Sequence, residues 1–297
     1  MPKFTQILKG LRIPLYWASG AIILLSYALA FKADELRRPL LWAIASAALI
    51  VFEIGVNLVS ELHDLVNHVP ITQRRALIPT GPYLAETFHL NAGRLEFYSG
   101  ISLIIAALLG FYVAANTGYT VILSIGAVGV LLVLLYAIPP FRLGERVYGE
   151  VVPFLSFGPL PMAALFYTIS GSITPFAMLL SLPNAFWVTA IRFVHHMPDT
   201  MHSADRTIQR NYQFKLRNSI QICTFLLSAA LILLIPSTVI AGIAMLPALG
   251  VAVLLSVFAM SELRKHAGSA VKLSEKTVYL LLLQFASTLL IALGLML

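Results

Sequence analysis

Long apolar runs separated by short polar loops form the dominant pattern of this chain. Nine of these runs lie close to the ~20 residues that a helix needs to cross the hydrocarbon core of a bilayer. The pattern therefore predicts nine membrane-spanning helices with short connections. They cover residues 13–31, 40–61, 97–115, 119–138, 150–169, 174–196, 218–236, 238–260 and 277–297. Pro236 and Ser237 mark the expected boundary between the seventh and the eighth.

The composition supports one helical membrane domain over residues 1–297. Hydrophobic residues make up 59% of the chain and charged residues only 11%, whereas about a quarter of the residues in soluble domains are charged. The single cysteine, Cys223, excludes a disulfide framework and a CxxC site. The first run is too long and too aromatic for most cleaved signal peptides, so we expect it to be retained as a span. The predicted class is an all-α polytopic membrane protein.

The positions of the basic residues predict the topology. The net charge is +7, but the lysines and arginines concentrate in alternate short loops, which is typical of topological signals rather than of nucleic-acid binding. The positive-inside rule then places the N-terminus in the cytosol and, with nine spans, the C-terminus outside. We expect a multi-pass protein of a prokaryotic plasma membrane, with two long cytosolic loops near residues 62–96 and 197–217 that cap the bundle.

Five polar residues form a stripe where the second span meets the cytosol. Glu53, Asn57, Glu61, Asp64 and His68 follow one another at steps of three or four, so one helical face carries all five. Such side chains are costly at a membrane segment unless they face partners or a polar cavity. The stripe therefore indicates a polar site at the cytosolic end of the bundle.

A second stripe lies at the corresponding end of the sixth span. Arg192, His196, Asp199 and Ser203 share one helical face there. Two acidic stripes at the same membrane depth favour a binding site between them over unrelated salt bridges, although single juxtamembrane ion pairs are common.

One interpretation of the stripes is a magnesium and diphosphate site. Hard divalent cations prefer carboxylate oxygens and leave positions for substrate phosphates. The candidate metal ligands are Glu61, Asp64, Asp199 and Asp205. Arginines of the cytosolic loops would neutralise the remaining charge of a diphosphate. These candidates are Arg74, Arg75, Arg142, Arg146, Arg206 and Arg210.

Two other interpretations stay open on the residues alone. Six of the seven histidines fall in or beside the long loops, where imidazoles suit a transition metal. Adjacent His195 and His196, however, cannot both point at one site from a regular helix. Alternatively, the carboxylates pair with loop arginines as ordinary salt bridges.

A third stretch connects the two stripes and completes a pattern that resembles a known family. Residues 136–159 read YAIPPFRLGERVYGEVVPFLSFGP, between NLVSELHD at 57–64 and HHMPDTMHSADRTIQR at 195–210. Together the three stretches resemble the UbiA superfamily of intramembrane prenyltransferases, most closely its 1,4-dihydroxy-2-naphthoate (menaquinone-pathway) branch. That family carries an aspartate-rich motif at the cytosolic end of its second and of its sixth helix, within nine spans.

The chain departs from the family motifs at several positions. Glu61 stands where the first aspartate is usual, and Ser60 where an asparagine is usual. Asp205 comes two residues later than the family's second carboxylate. Gln209 and Arg210 replace the usual glycine and lysine. A glutamate reaches one methylene further than an aspartate, so a bound metal would be displaced.

The resemblance implies an activity and roles for the site residues. The implied reaction is Mg²⁺-dependent transfer of a prenyl group from a polyprenyl diphosphate to an aromatic or quinol-type acceptor. Asp64 and Asp199 would be central to catalysis, and Asn57 would orient a ligand. Tyr136 and Tyr148 are candidates for shielding the allylic cation with their rings. Further candidate site residues are His68, His196 and His202.

Two alternative functions remain for this sequence. A UbiA-type terpene cyclase would share the fold but close the allylic cation on the substrate's own double bonds. A non-catalytic lipid-binding or transport protein would place polar residues at mid-bilayer depth on several helices, and only Glu53 clearly does so. The sequence sets neither the prenyl chain length nor the oligomeric state.

Overall fold

The computed structural model describes most of the chain. It covers residue 6 and residues 12–67, 71, 81–137, 141, 143–200 and 206–297. Of these, residues 13–15, 137, 145, 147, 199 and 200 are described by their backbone alone.

The described residues form helices and no strands. The α-helices are Ile13–Lys32 (α1), Pro39–Val66 (α2), Tyr83–Phe88 (α3), Ala92–Thr117 (α4), Tyr119–Ala137 (α5), Val151–Ser156 (α6), Pro159–Ser170 (α7), Pro175–His195 (α8), Arg206–Arg217 (α9), Ser219–Ala241 (α10), Leu246–Lys265 (α11), Ala270–Glu275 (α12) and Thr277–Met296 (α13). Short 3₁₀ turns lie at Leu143–Glu145, Val147–Glu150, Met197–Thr200 and Ile243–Met245.

The helices confirm the prediction of an all-α polytopic membrane protein. Within the described ranges, eight segments are long and apolar enough to cross a membrane, and α1 adds a shorter apolar stretch, Tyr16–Lys32. The exact number of nine spans stays a prediction.

The second predicted span continues further than its apolar run. Residues 40–61 were predicted, whereas α2 begins at Pro39 and ends at Val66. Glu53, Asn57, Glu61 and Asp64 therefore lie on one unbroken helix, as the spacing of the stripe requires. His68 lies outside the described residues.

The boundary predicted at Pro236 and Ser237 is wrong. Pro236 lies inside α10, and the helix ends only before Gly242, whose φ of +107° is accessible to glycine. The hydroxyls of Ser237 and Thr238 donate to the carbonyls of the preceding turn at 3.0 and 2.8 Å. A proline removes one backbone donor but does not prevent a membrane helix from continuing when neighbouring groups satisfy the backbone.

The fifth predicted span, residues 150–169, agrees with the candidate span Tyr148–Ser170, which consists of two consecutive helices, α6 and α7. The helix is interrupted between α6 and α7, and the Nδ2 of Asn184 donates to the carbonyl of Phe157 at this interruption, at 2.8 Å. A Cβ at Gly158 would clash with the Cβ of Ala185 and lie 2.9 Å from the carbonyl oxygen of Phe154. The break thus brings this segment close to α8.

The packing places both polar stripes at the same end of the bundle. Helix α1 packs against α2, α7 and α8, while α13 closes the bundle against α1, α8 and α11. Helix α8 is the most buried of the candidate spans. Helix α1 contacts both helices that carry stripes. The ion pairs of Arg12 with Glu61 and Asp64 place the N-terminal end of α1 beside the C-terminal end of α2.

Candidate active site

Glu61 anchors the start of α3 on the end of α2. Its side chain is buried, and its Oε1 accepts hydrogen bonds from the backbone N–H groups of Leu84 and of Ala85, the latter at 3.1 Å. The first N–H groups of a helix lack partners within the helix, so a buried carboxylate is well suited to accept from them. Glu61 therefore links α3 to the second span.

Arg12 joins three parts of the site. Its Nη2 lies 3.8 Å from the Oε2 of Glu61 and 3.5 Å from the Oδ2 of Asp64, and it donates to the carbonyl of Gly81 at 3.3 Å. The arginine is buried. In the sequence, Arg12 is one of the basic residues that precede the first span, and its position there gives no sign of this contact.

Asp64 is the more accessible of the two carboxylates. Its side chain is 19% exposed, against 3% for Glu61, and the Nδ1 of His63 lies 3.7 Å from its Oδ1. One turn deeper than Glu61, the Nδ2 of Asn57 donates to the hydroxyl of Tyr16 at 2.9 Å. Asn57 is thus held between α1 and α2.

His196 lies where the two stripes meet. It follows the last residue of α8 and is half-buried, with its Nε2 shielded from solvent, and this burial lowers the pKa of its imidazole well below 6.5. The positive charges of Arg192, Arg12 and Lys215 lower this pKa further, whereas the charge of Asp64 raises it. The interaction of one histidine with both Asp64 and Arg192 supports the expectation that the stripes face a common site.

A partly buried ion pair connects the third stretch to α9. The Nζ of Lys215 lies 2.7 Å from the Oε1 of Glu150, and the two side chains are 11% and 23% exposed. The sequence contained both residues but gave no spacing that could pair them, because 65 positions separate them. This pair fixes α9 against the loop that leads into α6.

The candidate arginines and tyrosines are more exposed. Arg146 donates to the hydroxyl of Tyr148 at 2.6 Å, and its guanidinium carbon lies 5.8 Å from the centre of that ring. Arg206 and Arg210 are exposed on α9. The ring of Tyr136 packs closely against the loop at residue 144. The roles of these residues stay predictions.

Several predicted site residues lie outside the described part of the chain. They are His68, Arg74, Arg75, Arg142, His202, Asp205 and the side chain of Asp199. The backbone of Asp199 lies in the Met197–Thr200 turn directly after α8, at the same end as His196. Among the described side chains, no three from His, Cys, Asp and Glu cluster as a metal site.

The described carboxylates differ in how well they suit a magnesium ion. Asp64 offers hard oxygen atoms and remains partly accessible, so it fits the ion. Glu61 has one oxygen engaged by two backbone donors and the other near Arg12. These contacts compete with direct metal binding by Glu61.

Comparisons with known proteins give the fold and the family. A search of curated proteins gave no significant match. A solved structure, described as a digeranylgeranylglyceryl phosphate synthase in membranes, is 18% identical and covers 100% of this chain and 99% of its own. Its TM-score of 0.62 shows a shared fold. The profile of the UbiA prenyltransferase family matches residues 89–285, from the end of α3 into α13. The chain therefore belongs to the UbiA prenyltransferase family.

Proposed function

We propose that the protein transfers a prenyl group from a polyprenyl diphosphate to an aromatic or quinol-type acceptor within the membrane, with Mg²⁺ as cofactor. The observation that carries this proposal is the meeting of Arg12, Asp64 and His196 at one end of an apolar bundle. A polar, positively charged end above an apolar interior suits a substrate with a diphosphate head and a hydrocarbon tail. Family membership supports prenyl transfer in a membrane.

The carboxylates would hold the metal at the mouth of the bundle. Asp64, Asp199 and Asp205 are the ligands that we favour, and bound Mg²⁺ would stabilise the negative charge on the departing diphosphate. We assign to Glu61 the task of holding α3 under this site, because its oxygens are already engaged. Its direct coordination, predicted from the motif, would require those contacts to open.

Positive charge around the diphosphate would come from Arg12 and from the arginines of the loops. Arg12 is buried between two carboxylates and can hold Asp64 in place while it faces the anion. The loop arginines proposed for this task are Arg74, Arg142, Arg146, Arg206 and Arg210. His196 stays neutral at physiological pH because its pKa is lowered, so it adds no further charge.

The tail of the substrate requires an apolar surface. An apolar groove of about 350 Å³ runs along α1 and α2, open to the surroundings. Its lining residues are Trp17, Gly20, Ile23, Leu24, Tyr27 and Trp42. The groove extends along α1 from Trp17, five residues after Arg12, to Tyr27, and reaches Trp42 near the start of α2. This apolar surface supports a substrate with a long hydrocarbon tail, whose length would depend on the packing of the groove.

The identity of the acceptor is the most specific part of the proposal. The motifs resemble those of the menaquinone-pathway branch, so we propose 1,4-dihydroxy-2-naphthoate as the first acceptor to test. The structurally similar protein is described as a digeranylgeranylglyceryl phosphate synthase, so a glyceryl phosphate that already carries one geranylgeranyl group is a suitable second acceptor. A cyclase would need no acceptor.

The test uses the purified full chain in liposomes with Mg²⁺ and geranylgeranyl diphosphate. We expect prenylated acceptor and released diphosphate, and we expect both to be lost in Asp64→Ala and Asp199→Ala. Glu96→Gln, which changes an exposed carboxylate on α4, is the matched control and should keep activity. Release of a cyclic hydrocarbon without acceptor would refute the transferase and favour the cyclase.

We also propose the topology predicted from the charges: nine spans in a prokaryotic plasma membrane, an N-terminus in the cytosol and a C-terminus outside. Reporter fusions at both ends would test it. A cytosolic C-terminal reporter would contradict the proposal.

A further inference from the structure

Glu53 is a carboxylate inside the bundle with one oxygen left without a partner. The side chain is 7% exposed, and its Oε2 accepts a hydrogen bond from the hydroxyl of Ser19 at 2.5 Å. No described residue forms a hydrogen bond with its Oε1. Glu53 lies within the span Pro39–Val66, where water is scarce.

The missing partner is costly in either protonation state. As a carboxylate, Glu53 lacks a donor at Oε1, and as a carboxylic acid it still leaves Oε1 without a partner, whichever oxygen carries the proton. A buried polar group without a hydrogen bond costs about 1–3 kcal/mol, and a charged one costs more. An intramembrane ionisable residue of this kind is expected to serve a ligand.

The positive charge of Arg192 acts on the Glu53 carboxyl group. Its guanidinium carbon lies 5.1 Å from the centre of the Phe157 ring and acts electrostatically on Glu53. The arginine does not satisfy Oε1 directly. Arg192 on α8 therefore acts on the Glu53 carboxyl group of α2 through its charge and does not form a hydrogen bond with Oε1.

The depth of Glu53 relates it to the proposed reaction. It precedes Glu61 by eight residues on α2, which corresponds to about 12 Å along the helix axis. Asn57 lies between them on the same face. A diphosphate bound at Asp64 would extend its prenyl chain inward, so Glu53 lies on the side where an acceptor would meet the allylic carbon.

We propose that Glu53 is an acceptor-binding residue, whose Oε1 binds a hydroxyl group of the prenyl acceptor. A hydroxyl both donates and accepts, so it matches Oε1 in either protonation state. A hydrocarbon tail offers no such group, which separates the two substrates of the reaction. This inference rests on the proposed function and narrows the acceptor to a compound with a free hydroxyl.

Binding without turnover provides the test. The probes are 1,4-dihydroxy-2-naphthoate and its two monomethyl ethers, and the readout is the thermal shift of the full chain in detergent. We expect the wild type to bind the free diol more tightly than at least one ether. Glu53→Gln keeps the shape but loses the charge-assisted bond, so its affinity for the diol should fall about tenfold. The affinity of Glu53→Gln for the ether that the wild type binds more weakly than the diol should change less than twofold.

Two further measurements keep the inference testable. Ser19→Ala retains the carboxylate and should still prefer the diol, which provides a second variant if Glu53→Gln does not fold. Glu262→Gln, on α11, removes another carboxylate of a spanning helix and should bind as the wild type does. The affinity for geranylgeranyl diphosphate should be unchanged in every variant.

Equal discrimination between diol and ethers in the wild type and Glu53→Gln would overturn the inference, as would a wild type that binds none of the probes. Failure of the proposed function looks different: the diol would bind with the expected preference, but no prenylated product would form.

Discussion

Replacing Glu61 by alanine should release α3 from the end of α2. The substitution removes two hydrogen bonds from the backbone N–H groups of Leu84 and Ala85 to a buried carboxylate. Hydrogen bonds to charged groups contribute about 1.5 kcal/mol or more each, so the free energy that holds α3 in place should fall by about 3 kcal/mol. Every 1.4 kcal/mol is a factor of ten, so exchange of these two amides should become about 100-fold faster.

Hydrogen–deuterium exchange with peptide-level mass spectrometry of the reconstituted chain measures this effect directly. Peptides that cover Tyr83–Phe88 should lose protection in Glu61→Ala, whereas α13 should keep it. Glu61→Asp restores the family's usual residue but shortens the side chain by about 1.5 Å, so it should lose part of the same protection. Glu96→Gln is the control for loss of one negative charge. Unchanged exchange of α3 in Glu61→Ala would refute the assigned role of Glu61.

Three other perturbations test the packing around the site. Lys215→Met breaks the pair with Glu150 and should destabilise the protein by about 2 kcal/mol in thermal unfolding, because a partly buried carboxylate loses its partner; a double-mutant cycle without coupling would contradict this. The pKa of His196 is lowered in the folded protein, so below about pH 6.5 the unfolded chain binds a proton that the folded chain does not. The free energy of unfolding should therefore fall as the pH is lowered from about 8 to about 5. His196→Asn should flatten that slope, and an unchanged slope would count against the burial of the imidazole. Gly158→Ala introduces a methyl group where α6, α7 and α8 meet and should cost about 1–3 kcal/mol, whereas Gly126→Ala, which has open space, should not destabilise α5; equal effects of the two would refute the close approach.

The spans and the polar stripe could be predicted because both depend on local regularities. A run of about 20 apolar residues has few structural solutions in a membrane, and steps of three and four fix a helical face. The same reasoning placed Asp64 and His196 at one end of the bundle. It could not place the end of α10, because a membrane helix can continue through a proline such as Pro236.

The contacts within the site depend on tertiary structure, so the sequence pattern gives little information about them. Arg12 and Asp64 are 52 positions apart, and nothing in their spacing predicts the distance of 3.5 Å between their side chains. The sequence shows that Glu61 replaces the usual aspartate of the first motif. The consequence of this replacement, that the carboxylate reaches the backbone of α3, became apparent only once the long loop was placed against α2.

The most direct test of the account is the fate of the prenyl group. Purified protein in liposomes, given Mg²⁺, geranylgeranyl diphosphate and 1,4-dihydroxy-2-naphthoate, should yield an acceptor whose mass has increased by the prenyl group, together with free diphosphate. Asp64→Asn should give neither product. A correctly folded wild type that leaves both substrates intact would contradict the account, as would an Asp64→Asn variant that retains full prenyl transfer.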